Sequence, residues 1–132
     1  MFSVETRTVA GEVTAIGSAG PFTLVVDRPV EAGGGGKGFN GGQLLYLAVA
    51  GCISNDLFRE ASRFGVDLDS VRVTVDGNFS GDPAVSSAVT YDVELSGSGD
   101  LEGLAREVDR IAEIPNSLRQ GTPVSLGEIR IV

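Results

Sequence analysis

Hydrophobic and polar positions alternate from the start of the chain, with Val4 and Thr6 on one face and Glu5 and Arg7 on the other. A period of two marks a strand with one covered face, so residues 2–9 are predicted to be extended. Residues 12–17 can pair with them through a turn at Ala10 and Gly11. Phe22-Thr23-Leu24-Val25-Val26 forms a third run, β-branched and aromatic, bounded by Gly and Pro. Together these runs predict an N-terminal antiparallel meander. At residue 43 the period changes. Leu45, Val49, Cys52, Ile53, Leu57, Ala61 and Phe64 recur at helical spacing and predict a helix over 43–64. Its first half, LLYLAVAGCI, is apolar on nearly every side and is expected to be buried all round. Its second half is amphipathic: Asp56, Arg59, Glu60 and Arg63 form the expected wet face, and Gly65 is the C-cap.

Alternation returns over 68–79, with Val71, Val73 and Val75 set against Arg72, Thr74 and Asp76. A turn at Ser80-Gly81-Asp82-Pro83 makes 84–96 its hairpin partner. Asp100 is the expected N-cap of a second helix over 101–114, with Leu104, Val108 and Ile111 as its apolar stripe. One more helical turn is expected over 115–120, and 123–132 closes the chain as a strand. The order of three strands, helix, two strands, helix and strand is an α+β pattern within one domain, 1–132. An all-apolar helical segment needs more cover than one small sheet provides, so a second sheet or a second subunit must wrap it, and a dimer is expected.

Between strands and helix, residues 32–42 are dominated by glycine, which excludes regular structure there. A phosphate-binding loop is the tempting reading, but its pattern fails. Glu31 stands where the first Gly belongs, and Gly38 follows Lys37 where Ser or Thr belongs. A mobile flap or connector is the expectation.

Composition narrows the function further. The chain has 132 residues, enough for one core, and 42% hydrophobic with 21% charged residues is the balance of a globular protein. A formal charge of −8 argues against nucleic acid and against anionic membrane surfaces. The longest apolar stretch, 44–53, is about half a membrane span, and no signal peptide is visible. One cysteine and no histidine exclude an internal disulfide and every Ser-His or Cys-His pair. They also argue against a soft-metal site, so a cytoplasmic protein with no metal or other cofactor is expected. Ser54 and Asp56 read as an exposed polar patch.

Residues 40–79, NGGQLLYLAVAGCISNDLFREASRFGVDLDSVRVTVDGNF, resemble the OsmC/Ohr family of organic hydroperoxide reductases. The likeness rests on Leu44, Leu45, Ala48, Ala50, Gly51 and Cys52, followed by Gly65 and the Val71-Val73-Val75 strand. It implies an OsmC-like fold and an intertwined homodimer with long central helices between two sheets. It also implies that Cys52 is the catalytic thiol, oxidised by a hydroperoxide to a sulfenic acid. The family's resolving cysteine falls on Ala112 and its Glu falls on Gly42. Its activating Arg would fall near Ala10-Gly11-Glu12, which leaves Arg7, Arg28 and Lys37 as substitutes. Peroxide chemistry needs a thiolate, and position 52 lies more than two turns from the helix start, so a cation must do the activating. Two readings follow. In one, Cys52 reduces a small hydrophobic peroxide and an external thiol completes the cycle. In the other, the fold is a binding or scaffold dimer with an apolar-ligand pocket near Cys52, Tyr46 and Phe39.

Overall fold

A computed structural model describes residues 2–132 as two compact units, one ending at Leu47 and one spanning Ala48–Val132. In the first unit, strands β1 (Glu5–Thr8), β2 (Ala15–Ala19) and β3 (Phe22–Val26) form the expected antiparallel meander in that order. Thr6 pairs with Gly17, and Gly17 with Leu24. The first two strands differ in extent from the alternation. The Val9 N–H donates to the Thr14 carbonyl and the Glu12 N–H to that of Val9, so the connection spans 9–14 and β2 starts at Ala15. Phe2 and Val4 lie outside the ladder and are exposed.

The glycine segment is a connector tied to β3 by hydrogen bonds. Phe39 bridges Val26, its N–H donates to the Val25 carbonyl, and its own carbonyl accepts from the Asp27 N–H. Two glycines are needed because backbone passes against backbone. A Cβ on Gly38 would lie 2.2 Å from the Val25 oxygen, and one on Gly34 would lie 2.1 Å from the Arg28 oxygen.

Helix α1 (Gly41–Ala61) starts two residues earlier than its periodicity indicates. Asn40 and Gln43 cap it reciprocally, each side chain accepting the other's backbone N–H, at 2.9 and 3.0 Å. A 3₁₀ turn, Ser62–Phe64, and left-handed Gly65 (φ 63°) end it as expected. Within the single chain both of its halves differ from the periodicity. The first half is not buried all round: Leu47 is 49% exposed, and Ala48 and Gly51 are exposed too. The single chain supplies no layer for that side. Nor is the second half's acidic face wet: Asp56 and Glu60 are each only 6% exposed.

In the second unit, β4 (Asp67–Ser80) and β5 (Val85–Ser98) form the expected hairpin, with Val71 opposite Leu95, Val73 opposite Val93 and Val75 opposite Tyr91. Val71, Val73, Tyr91, Val93 and Leu95 pack against a core of Ile53, Leu57, Ala61, Val66, Leu104, Val108 and Ala112. Leu57, Leu104 and Val108 are wholly buried, each contributing about 1.5–3 kcal/mol over exposure. Helix α2 (Leu101–Ile111) is N-capped by Asp100, which accepts the Gly103 N–H at 2.9 Å. The helix ends at Ile111 because Ala112 is extended, and α3 (Glu113–Gln120) follows as two turns where one was expected. Arg119 ties α3 back to α2 through the Asp109 carboxylate at 2.6 Å.

The expected closing strand is absent: 123–132 forms no ladder with any described residue. Its apolar positions face outward, Val124 at 94% and Ile131 at 90% exposure.

Candidate functional site

Cys52 is a free, half-buried thiol on α1 that packs against the core of the second unit. Helical spacing places Asp56 one turn on, and the Cys52 thiol donates to Asp56 Oδ2 at 3.9 Å. The other carboxylate oxygen, Oδ1, is held by the Arg59 guanidinium at 3.2 Å. Arg59 also donates through Nε to Glu60 at 3.2 Å, and Arg63 closes on Glu60 at 2.8 Å. The result is a ladder along one helix: thiol, carboxylate, guanidinium, carboxylate, guanidinium. Burying two carboxylates is costly unless each is paired and hydrogen-bonded. Here Arg59 and Arg63 fulfil that condition while their own heads stay exposed.

In this ladder Arg59 is the cation that meets the Asp56 carboxylate. Arg7 is paired with Glu5 at 3.6 Å and Lys37 with Glu12 at 3.1 Å, both in the first unit. Arg59 was legible in the 52–56–59 spacing, which repeats on one helix face, but it reads there as part of a solvated stripe. The expected exposed patch of Ser54 and Asp56 is likewise corrected: Asp56 is buried and Ser54 half-buried. Phe39 and Tyr46 both belong to the first unit, Phe39 at the Val26 bridge and Tyr46 half-buried on α1. Ala112 is wholly buried in the core against which Cys52 packs, so the apolar side chain there fills space and offers no second thiol.

Two further features frame the chemistry. Within the first unit the meander and Leu44 of α1 line an apolar groove of about 480 Å³, with Val4, Phe22, Leu24 and Val26 among its residues. In the second unit, a hollow of about 550 Å³ has Ile53 and Leu57 on its floor and Tyr91, Arg106 and Asp109 on its rim. The Tyr91 hydroxyl donates to Asp109 at 2.5 Å. Burial, together with that carboxylate, holds the phenol well above its usual range. The same hydrogen bond, aided by Arg119, keeps the Asp109 carboxyl below its own. Neither cavity is lined by Cys52, Phe39 or Tyr46.

The glycine segment holds no space for an anion. The Asp27 carboxylate already takes the N–H groups of Gly35 at 3.0 Å, Lys37 at 3.2 Å and Arg28 at 2.8 Å, with the Thr14 hydroxyl at 2.8 Å. The Gly35 N–H above all, then Thr14, Arg28 and Lys37, hold Asp27 down at about 2 against the opposing effect of burial. Among the described residues no group of three or more His, Cys, Asp or Glu could hold a metal ion. No described helix is long and apolar enough to cross a membrane.

Comparison with known proteins gives the same picture at the level of family. The family model described as OsmC-like protein matches residues 34–127. No curated protein matches the sequence. The fold is similar to that of the OsmC-like protein from Mycoplasma pneumoniae, with a TM-score of 0.79 and 16% identity, covering 92% of this chain and 89% of that one. It is also similar to the organic hydroperoxide resistance protein OsmC from Legionella pneumophila, with a TM-score of 0.67, 18% identity and coverage of 90% and 89%. An OsmC-like hydroperoxide resistance protein from Jannaschia gives a TM-score of 0.56 at 14% identity, with coverage of 96% and 92%.

Proposed function

Because the chain belongs to the OsmC-like family, we propose that it is a one-cysteine, thiol-dependent reductase of organic hydroperoxides that works as a homodimer. The observation that carries this reading is the position of Cys52, the one thiol in the sequence, half-buried on α1 beside a paired carboxylate and guanidinium. The names of the Legionella and Jannaschia proteins, which refer to hydroperoxide resistance, support the substrate class.

In this reading Cys52 Sγ attacks the outer peroxide oxygen. The S–O bond forms as the O–O bond breaks, sulfur loses two electrons, and the alkoxide leaves with the thiol proton as an alcohol. A small external thiol then condenses with the sulfenic acid, releasing water, and a second one frees Cys52 as the external disulfide departs. No internal disulfide is involved, because there is one cysteine. The dimer is supported by what one chain leaves open: the exposed Leu47 side of α1, the apolar groove of the meander and the unpaired segment 123–132.

The test is peroxide consumption with cumene hydroperoxide and excess dithiothreitol. Turnover is expected from the native chain, with a gain of about 16 Da at Cys52 in the absence of reductant, and neither is expected from Cys52→Ser. A Cys52 that stays unmodified, or turnover that survives its replacement, rules the reading out. The 480 Å³ apolar groove favours one alternative, a binding dimer for apolar ligands, which predicts saturable uptake of an apolar fluorophore without peroxide turnover.

A further inference from the structure

The contact between Cys52 and Asp56 is a poor hydrogen bond for a thiol and a good one for the oxidised thiol. At 3.9 Å the S···O distance is at the outer limit for a sulfur donor. Insert one oxygen on the sulfur, and the gap is spanned by an S–O bond followed by a charge-assisted O–H···O⁻ bond of about 2.6 Å, bent at the inserted oxygen. The carboxylate is fixed to receive it. Oδ1 is clamped by Arg59 at 3.2 Å, the side chain is 8% exposed, and Oδ2 faces the thiol. Arg59 is itself braced by Glu60, which is held in turn by Arg63.

We infer that Asp56 is the built-in acceptor for the sulfenic acid formed at Cys52, a positioning residue that holds the oxidised protein at that stage until a small thiol arrives. The inference rests on the reductase reading of Cys52. It answers a problem specific to this chain: with no second cysteine, the sulfenic acid must wait for an external reductant and is exposed meanwhile to a second peroxide. Further oxidation proceeds by attack of the sulfenate sulfur on another O–O bond, giving the sulfinic acid and a second alcohol. A proton held on the sulfenic oxygen by Asp56 weakens that nucleophile. It also leaves the sulfur open to the incoming thiol, whose attack expels the oxygen as water.

The experiment treats the native chain and Asp56→Asn with one equivalent of cumene hydroperoxide, then traps the sulfenic acid with dimedone at intervals. In the native chain the dimedone-reactive state is expected to persist. In Asp56→Asn its lifetime should fall at least about tenfold, the scale of one charge-assisted hydrogen bond, with excess peroxide driving a gain of about 32 Da. Equal lifetimes and equal over-oxidation in the two proteins overturn the inference. If the native Cys52 ignores the organic peroxide, the reductase reading falls. The sulfenic acid is then raised with excess hydrogen peroxide, and the same comparison still decides the role of Asp56. Should Asp56→Asn not fold, Asp56→Glu keeps the charge but shifts the acceptor; a shortened lifetime there supports the inference and an unchanged one overturns it.

Discussion

At position 38 a methyl group has nowhere to go. The Cβ of an alanine there would sit 2.2 Å from the carbonyl oxygen of Val25, an atom fixed by its hydrogen bond from Phe39. Relief requires the backbone to separate, so Gly38→Ala is expected to cost about 1–3 kcal/mol, read as a lowered urea midpoint. A midpoint equal to the native one would show that the connector is slack. The same scale explains why the acidic residues of α1 escaped a reading by pattern. Asp56 and Glu60 occupy positions that helical periodicity assigns to solvent, and nothing in the spacing shows that Arg59 and Arg63 will fold over them. Charge on a helix normally marks a wet face. The burial here depends on packing by residues distant in sequence, together with the i+3 guanidinium clasps, and only the clasps are local.

Elements that rest on period alone were legible in outline. The Val71-Val73-Val75 alternation gave both the strand and its buried face, and Asp100 gave the start of α2. The glycine segment was legible only as irregular, because its organiser lies outside it: Asp27 reaches 8 residues to Gly35, 10 to Lys37 and 13 back to Thr14. That arrangement carries a pH signature. Asp27 has its folded pKa depressed to about 2, against about 3.9 in an unfolded chain. Its contribution is therefore fully present above pH ~4 and is lost as pH falls toward about 2, the range in which the folded carboxylate finally takes its proton. The native thermal midpoint is expected to drop more steeply over that window than the midpoint of Asp27→Asn, which has no proton to gain. Parallel profiles would contradict the assignment of the segment's order to this carboxylate.

Considered as a whole molecule, the chain leaves a large share of its apolar surface without cover. Phe22, Leu47 and Val124 are exposed on the meander, on α1 and on the closing segment respectively, more than scattered surface hydrophobics require. The all-apolar start of α1 was read from sequence as needing a second sheet or subunit, and in the single chain its Leu47 side is exposed. Light scattering is expected to give twice the 13.6 kDa chain mass, and removal of 123–132 is expected to raise the monomer fraction. A native monomer, or a truncated chain that dimerises as tightly as the native one, counts against that assembly. The strand pairings themselves are all between sequence neighbours, β1 with β2, β2 with β3, and β4 with β5. Closing such short loops costs little chain entropy, so each sheet can form rapidly and by itself, even while synthesis is under way. In the proposed dimer, folding is then quick and unimolecular and encounter between copies is the concentration-dependent step, so dilution is expected to yield a folded half with its apolar faces open.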